Sequence, residues 1–158
     1  MRPMLATLCC ASFALPFVCV VDADAKDASL DSDRRRLQGT WKVSKIVNDG
    51  EAISINSLGE FTLDIEGDSI FVNGFSLGYK SKKRQLLWTY DLLSSPKHVG
   101  IDLVAVPPQG RERFRCLLKF DKDGVVICGE NVADADRPAD FSSVPGSKRV
   151  LILMRQQK

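Results

Sequence analysis

Leu37-Gln38-Gly39-Thr40-Trp41-Lys42-Val43 decides the fold of this 158-residue chain, because Gly-x-Trp here enters the first of a succession of short strands. From Gly39 onward, runs rich in β-branched and aromatic residues alternate with turn residues. No segment carries a helical apolar stripe over three turns. Phe61, Leu63 and Ile65 alternate with Thr62, Asp64 and Glu66; Leu86, Trp88, Tyr90 and Leu92 share one face; Phe114, Cys116, Leu118 and Phe120 alternate with Arg113, Arg115 and Lys119. Period two with one apolar face means strands buried on one side.

Turn chemistry separates these strands. Asn48-Asp49-Gly50, Gly67-Asp68, Asn73-Gly74 and Asp123-Gly124 supply residues that tolerate positive φ where tight hairpins require it. Strands are expected near 40–47, 60–66, 69–73, 75–80, 85–92, 98–105, 112–120, 125–130 and 149–155. Hairpins in series form a meander, and the expected fold is all-β, an up-and-down antiparallel barrel of about eight to nine strands, since closure removes the exposed edges of a flat sheet. Two stretches fall outside the pattern. Asp31–Arg36 is a charged lead-in with room for one helical turn, and 131–146, rich in Pro, Asp and Ser, is a long loop and the expected functional surface.

The first 25 residues read as a signal peptide: Arg2, an apolar run from Leu5 to Val21, and the small-x-small signature Ala23-Asp24-Ala25. The run is too short, and interrupted by Pro16, for a spanning helix of about 20 residues. Residues 26–38 are then an N-terminal lead-in and 39–158 a single barrel domain, exported to the periplasm or beyond. Cleavage removes Arg2, Asp22 and Asp24, so the formal charge of +2 becomes +3. Such balance gives no reason to expect nucleic acid as a partner. Cys9, Cys10 and Cys19 also leave, and Cys116 and Cys128 remain as either one disulfide or two buried thiols.

Several segments together resemble the planctomycetal paralogous domain, an uncharacterised family of exported, lipocalin-like domains. They are Leu37–Val43; Ser95-Pro96-Lys97-His98 with Ile101-Asp102-Leu103; Leu118–Gly124 through Ile127-Cys128; and Arg137-Pro138-Ala139-Asp140-Phe141 leading to Pro145-Gly146-Ser147. Val99-Gly100 looks like an insertion relative to the family pattern. The resemblance implies a fold and an exported location and brings no established activity. Likeness to lipocalin-like barrels also implies a closure in which Arg155, on the last strand, stacks over Trp41 of the first strand beside Gly39.

Chemistry-bearing patterns are sparse. His98 is the only histidine, and Cys116 and Cys128 have no close CxxC spacing, so a zinc site is not expected. His98 beside Lys97 and Asp102 reads as a strand-edge residue after a Pro-defined turn rather than a proton carrier. Asp121-Lys122-Asp123-Gly124 imitates the opening of a calcium loop, but Val132 stands where that loop needs a glutamate. Asp134 and Asp136 read as solvated loop residues. Ser142, Ser143 and Ser147 lack a Gly-x-Ser-x-Gly elbow, and no Gly-rich phosphate loop or cofactor motif appears. Arg34-Arg35-Arg36 and Lys82-Lys83-Arg84 are each three residues long and read as solvated surface.

Two functions remain in view, neither enzymatic. The first is a binding barrel with a small apolar ligand in its mouth, lined by Phe61, Leu63, Trp88, Tyr90, Phe114 and Leu118. The second is a cell-envelope module that binds a protein or polysaccharide on its outside. The expected inward set, which adds Ile65, Ile70, Val72, Leu86 and Phe120, is bulky enough to fill a barrel of eight strands, and a filled barrel favours the second.

Overall fold

Period-two strands closed by two-residue turns leave the chain one economical arrangement, and the computed structural model has it. It describes residues 23–55, 62–74, 84–95, 97–108, 110–122 and 124–157, with side chains described from residue 28. One helix, α1 (Ala23–Leu37), precedes β1 (Gly39–Asn48), β2 (Glu51–Ile53), β3 (Thr62–Glu66), β4 (Ser69–Asn73), β5 (Gln85–Leu93), β6 (Val99–Ala105), β7 (Arg113–Asp121), β8 (Gly124–Glu130) and β9 (Arg149–Gln156). Neighbours pair antiparallel in the order β2-β1-β3-β4-β5-β6-β7-β8-β9, and β9 returns to β1. Eight strands thus form a closed antiparallel barrel, and β2 is an extra strand hairpinned onto the end of β1.

Eight of the nine expected strands are present with small shifts at their ends, and the expected strand at 75–80 lies outside the described residues. The short β2 was not expected. Asp49 and Gly50 join it to β1 with φ of 51° and 85°, the two positive values that a type I′ hairpin demands. The charged lead-in also differs from expectation: it is four turns of helix, not one. Among the described side chains of α1, Leu30 and Leu37 are the hydrophobic ones that pack toward the barrel, one residue per two turns. Its basic last turn, Arg34 to Arg36, complements the helix dipole.

Two irregularities set which side chains point inward. In β1, Val43 pairs with Met154 and Lys45 with Leu153, so Ser44 is an extra residue. Trp41 and Val43 therefore face inward at even spacing, and Ile46 rejoins them three residues later. In β5, Trp88 pairs with Ile70 and Leu86 with Phe71, which leaves Leu87 as the extra residue. Leu87, not Leu86, packs against the core, correcting the expected inward set.

Sixteen buried hydrophobic side chains from α1 and the eight barrel strands form one contiguous cluster in the barrel. Leu63, Ile65, Ile70, Val72, Tyr90 and Leu118 of the expected set belong to it; Trp88, Phe114 and Phe120 are half-buried and pack against it; Phe61 lies outside the described residues. At one end of the barrel, Leu37 of α1 is fully buried in this cluster. That helical end also carries the β3–β4 turn, the β7–β8 turn and the end of β9.

The alternation that fills the inside leaves a second apolar layer outside. Leu117, Val126 and Cys128 are buried yet lie outside the interior cluster, since each strand neighbour that faces inward turns them outward. The 131–148 segment runs over this face. Arg137 crosses Gly100, whose missing side chain makes the space, and donates from Nη2 to Asp102 Oδ1 at 2.6 Å and from Nη1 to the carbonyls of Ile101 and Cys116. Phe141 meets His98 edge-on, ring centres 5.1 Å apart, with Lys119 Nζ 4.8 Å from its centre. The returning stretch is tied by Lys148 N to Asp49 Oδ1 at 2.7 Å and by Ser143 Oγ to the Arg149 carbonyl at 2.8 Å.

This layering settles the cysteines. Cys116 pairs across the ladder with Gly129, and Cys128 with Leu117. One thiol faces the barrel interior and the other the 131–148 segment, so the two lie on opposite faces of the sheet and both are free. Burial pushes the Cys116 thiol up to about 12, and it raises Cys128 as well.

Candidate functional site

The helical end is built around Gln38, the residue between α1 and β1. Its Oε1 accepts from Gly67 N at 2.7 Å, and its Nε2 donates to the Arg34 carbonyl at 2.9 Å and to Tyr90 Oη at 3.1 Å. Tyr90 Oη in turn donates to the Gly67 carbonyl at 2.8 Å. Burial raises the Tyr90 pKa, partly opposed by the hydrogen bond from Gln38. Trp41, whose ring is buried, donates its indole N–H to the Leu37 carbonyl at 2.7 Å. Three of the last four carbonyls of α1 therefore find donors within the fold: Gln38 serves those of Arg34 and Arg35, and Trp41 serves that of Leu37.

The expected stack of Arg155 on Trp41 is replaced by a different pairing. In the β1–β9 ladder, Trp41 sits opposite Gln156 and Lys42 opposite Arg155, so Arg155 lies on the exterior row while Trp41 faces inward. The stacked cation at this end is Arg36, whose guanidinium carbon is 3.9 Å from the centre of the Phe120 ring. Gly39 opens β1 with φ of 112° and lies against Gln156.

Between the end of α1, the β7–β8 turn and the end of β9 the surface sinks into a groove of about 660 Å3. It is lined by Arg35, Arg36, Trp41, Phe120, Asp121, Lys122, Gly124, Arg155 and Gln156. A second depression of about 230 Å3 adjoins it along the outer face of β8 and β9 and shares Asp121, Lys122, Gly124 and Arg155. Among the described residues, four cations meet one carboxylate in the main groove. Asp121 accepts from the Lys122 backbone amide at 2.8 Å, and Arg36 also reaches Asp33 at 3.8 Å. Among the described residues, no hydrogen bond or ion pair holds the side-chain cations of Arg35, Lys122 or Arg155.

The residues expected to carry function are dispersed. Leu63, Tyr90 and Leu118 are core side chains, and Trp88 and Phe114 are the half-buried aromatics among the candidates for a mouth. His98 packs on Phe141 just before β6 and is not among the groove residues, and Asp134 and Asp136 lie on the 131–148 segment, where Asp134 N donates to the Arg113 carbonyl at 2.8 Å. Among the described residues, no group of three or more His, Cys, Asp or Glu side chains could hold a metal, and no helix is long and apolar enough to cross a membrane. The groove was missed because its cations come from three distant segments, each unremarkable alone. The chain matches no protein-family model, no curated protein and no solved structure.

Proposed function

We propose that the chain is an exported, non-enzymatic interaction module in which the barrel is a filled scaffold and the working surface lies outside. The observation that carries this reading is the interior itself: sixteen buried side chains, drawn from both the barrel wall and α1, meet in one cluster. A barrel of eight strands has an interior that side chains alone can fill. The single histidine is engaged with Phe141 rather than with a nucleophile, which supports a binding role over catalysis. The likeness to the planctomycetal paralogous domain supports the exported location on the residues quoted above.

The competing reading, a small apolar ligand in the barrel mouth, draws on the half-burial of Trp88 and Phe114, which leaves two aromatic rings partly open beside the core. Titration with the neutral apolar dye N-phenyl-1-naphthylamine separates the two. A filled scaffold leaves dye fluorescence at its value in buffer and Trp emission unchanged. Saturable, one-to-one dye uptake that quenches Trp88, and is lost in Trp88→Ala, would overturn the proposal.

A further inference from the structure

We infer that the groove at the helical end is a binding site for a small polyanion, a molecule bearing two or more phosphate or sulfate groups. The inference rests on the reading of the outside as the working surface and names what that surface takes. The chain as a whole is nearly charge-balanced, at a formal +2, yet among the described residues four cations and one carboxylate line this single groove. The concentration is local, and a local excess of one sign in a concave site focuses the field on an incoming ligand of the other sign.

Structural duties account for only part of these cations: Arg35 and Arg36 complement the helix dipole, and Arg36 reaches Asp33 at 3.8 Å. Arginines in the last turn of a helix commonly serve its terminal carbonyls. Here Gln38 and Trp41 already satisfy the carbonyls of Arg34, Arg35 and Leu37. Arg155 is exposed on the outer row of β9, and Lys122 tops the β7–β8 turn. Arg36 is the exception, being stacked on Phe120, and that contact fixes the plane of its guanidinium at the groove wall. A planar guanidinium offers paired N–H donors that match two oxygens of a phosphate or sulfate.

Size and charge favour several anionic groups over one. The groove falls within the range of about 300–1,000 Å3 typical of small-molecule sites. Its four described cations, from α1, the β7–β8 turn and β9, stand against one described carboxylate, a surplus of about three positive charges, which is more than one phosphate or sulfate group, at about −2, neutralises. The adjoining depression shares Lys122 and Arg155 and is otherwise lined mostly by Ser44, Val125, Val126, Leu153 and Met154, so the basic surface ends at those two cations. Six of the nine residues that line the groove carry charged or polar side chains.

Calorimetric titration of the full chain at low ionic strength tests this, with inorganic tripolyphosphate and sucrose octasulfate as probes and orthophosphate as the single-anion control. At least one polyanion should bind one-to-one, at least ten-fold more tightly than orthophosphate, and more weakly as salt is added. Arg155→Ala and Lys122→Ala, both at exposed positions, should each weaken binding at least five-fold. Arg111→Ala together with Arg113→Ala, away from the groove, should leave it unchanged. The tighter of the two polyanions then identifies phosphate or sulfate chemistry. Absence of binding, equal affinity for orthophosphate, or equal loss in the Arg111/Arg113 variant would each overturn the inference. None of these results touches the filled-scaffold reading, which the neutral dye tests separately.

Discussion

Two segments of this chain are not strands of the barrel yet pack against it at length, and they do so in opposite ways. Helix α1 reaches the inside: Leu37 is fully buried in the core cluster, and Leu30 packs against it. The 131–148 segment covers the outside and is held chiefly by polar contacts, with Arg137 bridging Asp102 and two strand carbonyls. One behaves as a plug and the other as a strap. The consequence for function reverses what composition suggests, because the Pro- and Ser-rich loop is largely committed to the barrel wall, while the unremarkable lead-in contributes cations to an open groove.

If α1 is a plug, its removal from the core should be the most costly change. Leu37→Ala deletes a side chain with no exposed surface, and such truncations typically cost about 2–5 kcal/mol because the cavity does not fully collapse. Urea denaturation followed by Trp emission should show this loss as a lower midpoint with an unchanged slope. A cost near zero would show that α1 lies against the barrel without sealing it, and the comparison would fail at its first term.

The strap should be weaker and should open locally. Arg137→Met keeps most of the aliphatic stem but removes the guanidinium that lies over Gly100, leaving Asp102 and the two carbonyls without this donor. Since Asp102 is only 14% exposed in its side chain, the loss should be about 1–3 kcal/mol. The two thiols report which layer has opened. Cys128 needs only the strap to lift, whereas Cys116 faces the interior and, with a pKa of about 12, holds about one part in 10^4 as thiolate at pH 8. Iodoacetamide should therefore modify Cys128 first, and Arg137→Met should raise the Cys128 rate at least several-fold without raising that of Cys116. Parallel acceleration of both would mean that strap and barrel open as one unit.

How far the sequence exposed this architecture depends on how local each signal is. Strand positions and hairpins were legible because period-two alternation and turn residues such as Asp49-Gly50 act over a few neighbouring residues. The bulge in β1 also left a trace, since Trp41, Val43 and Ile46 change spacing from two to three. The two-sided burial of β7 and β8 is written in the unbroken runs Leu117-Leu118 and Val125–Cys128, which one-face alternation overlooks. Helix α1 was faint because the barrel, not its own apolar face, holds Leu37. The groove was illegible because Arg35, Lys122 and Arg155 become neighbours only when β9 closes on β1 and α1 turns under them.

The smallest expected effect concerns the strap's second anchor. Asp140 sits between Arg149, 2.9 Å from its Oδ1, and Ser142, which donates to it from both Oγ and backbone N. The Ser142 side-chain hydrogen bond, then its backbone amide and Arg149, hold the Asp140 carboxyl below the usual value. A carboxylate whose pKa is lower folded than unfolded contributes stability that is fully present above the unfolded pKa, about 3.9, and that is lost as pH falls through the folded value. The side chain is exposed, so solvent screens the contribution and it stays small. Asp140→Asn should accordingly lower the melting temperature slightly at pH 7, and the gap to the native protein should close as pH falls below about 3.9. A gap that persisted unchanged at pH 2 would locate the role of Asp140 in its turn with Ser142, which an amide can partly reproduce, rather than in its charge. The strap would then be held at this point by loop geometry, leaving the Arg137–Asp102 ion pair to clasp it to the barrel.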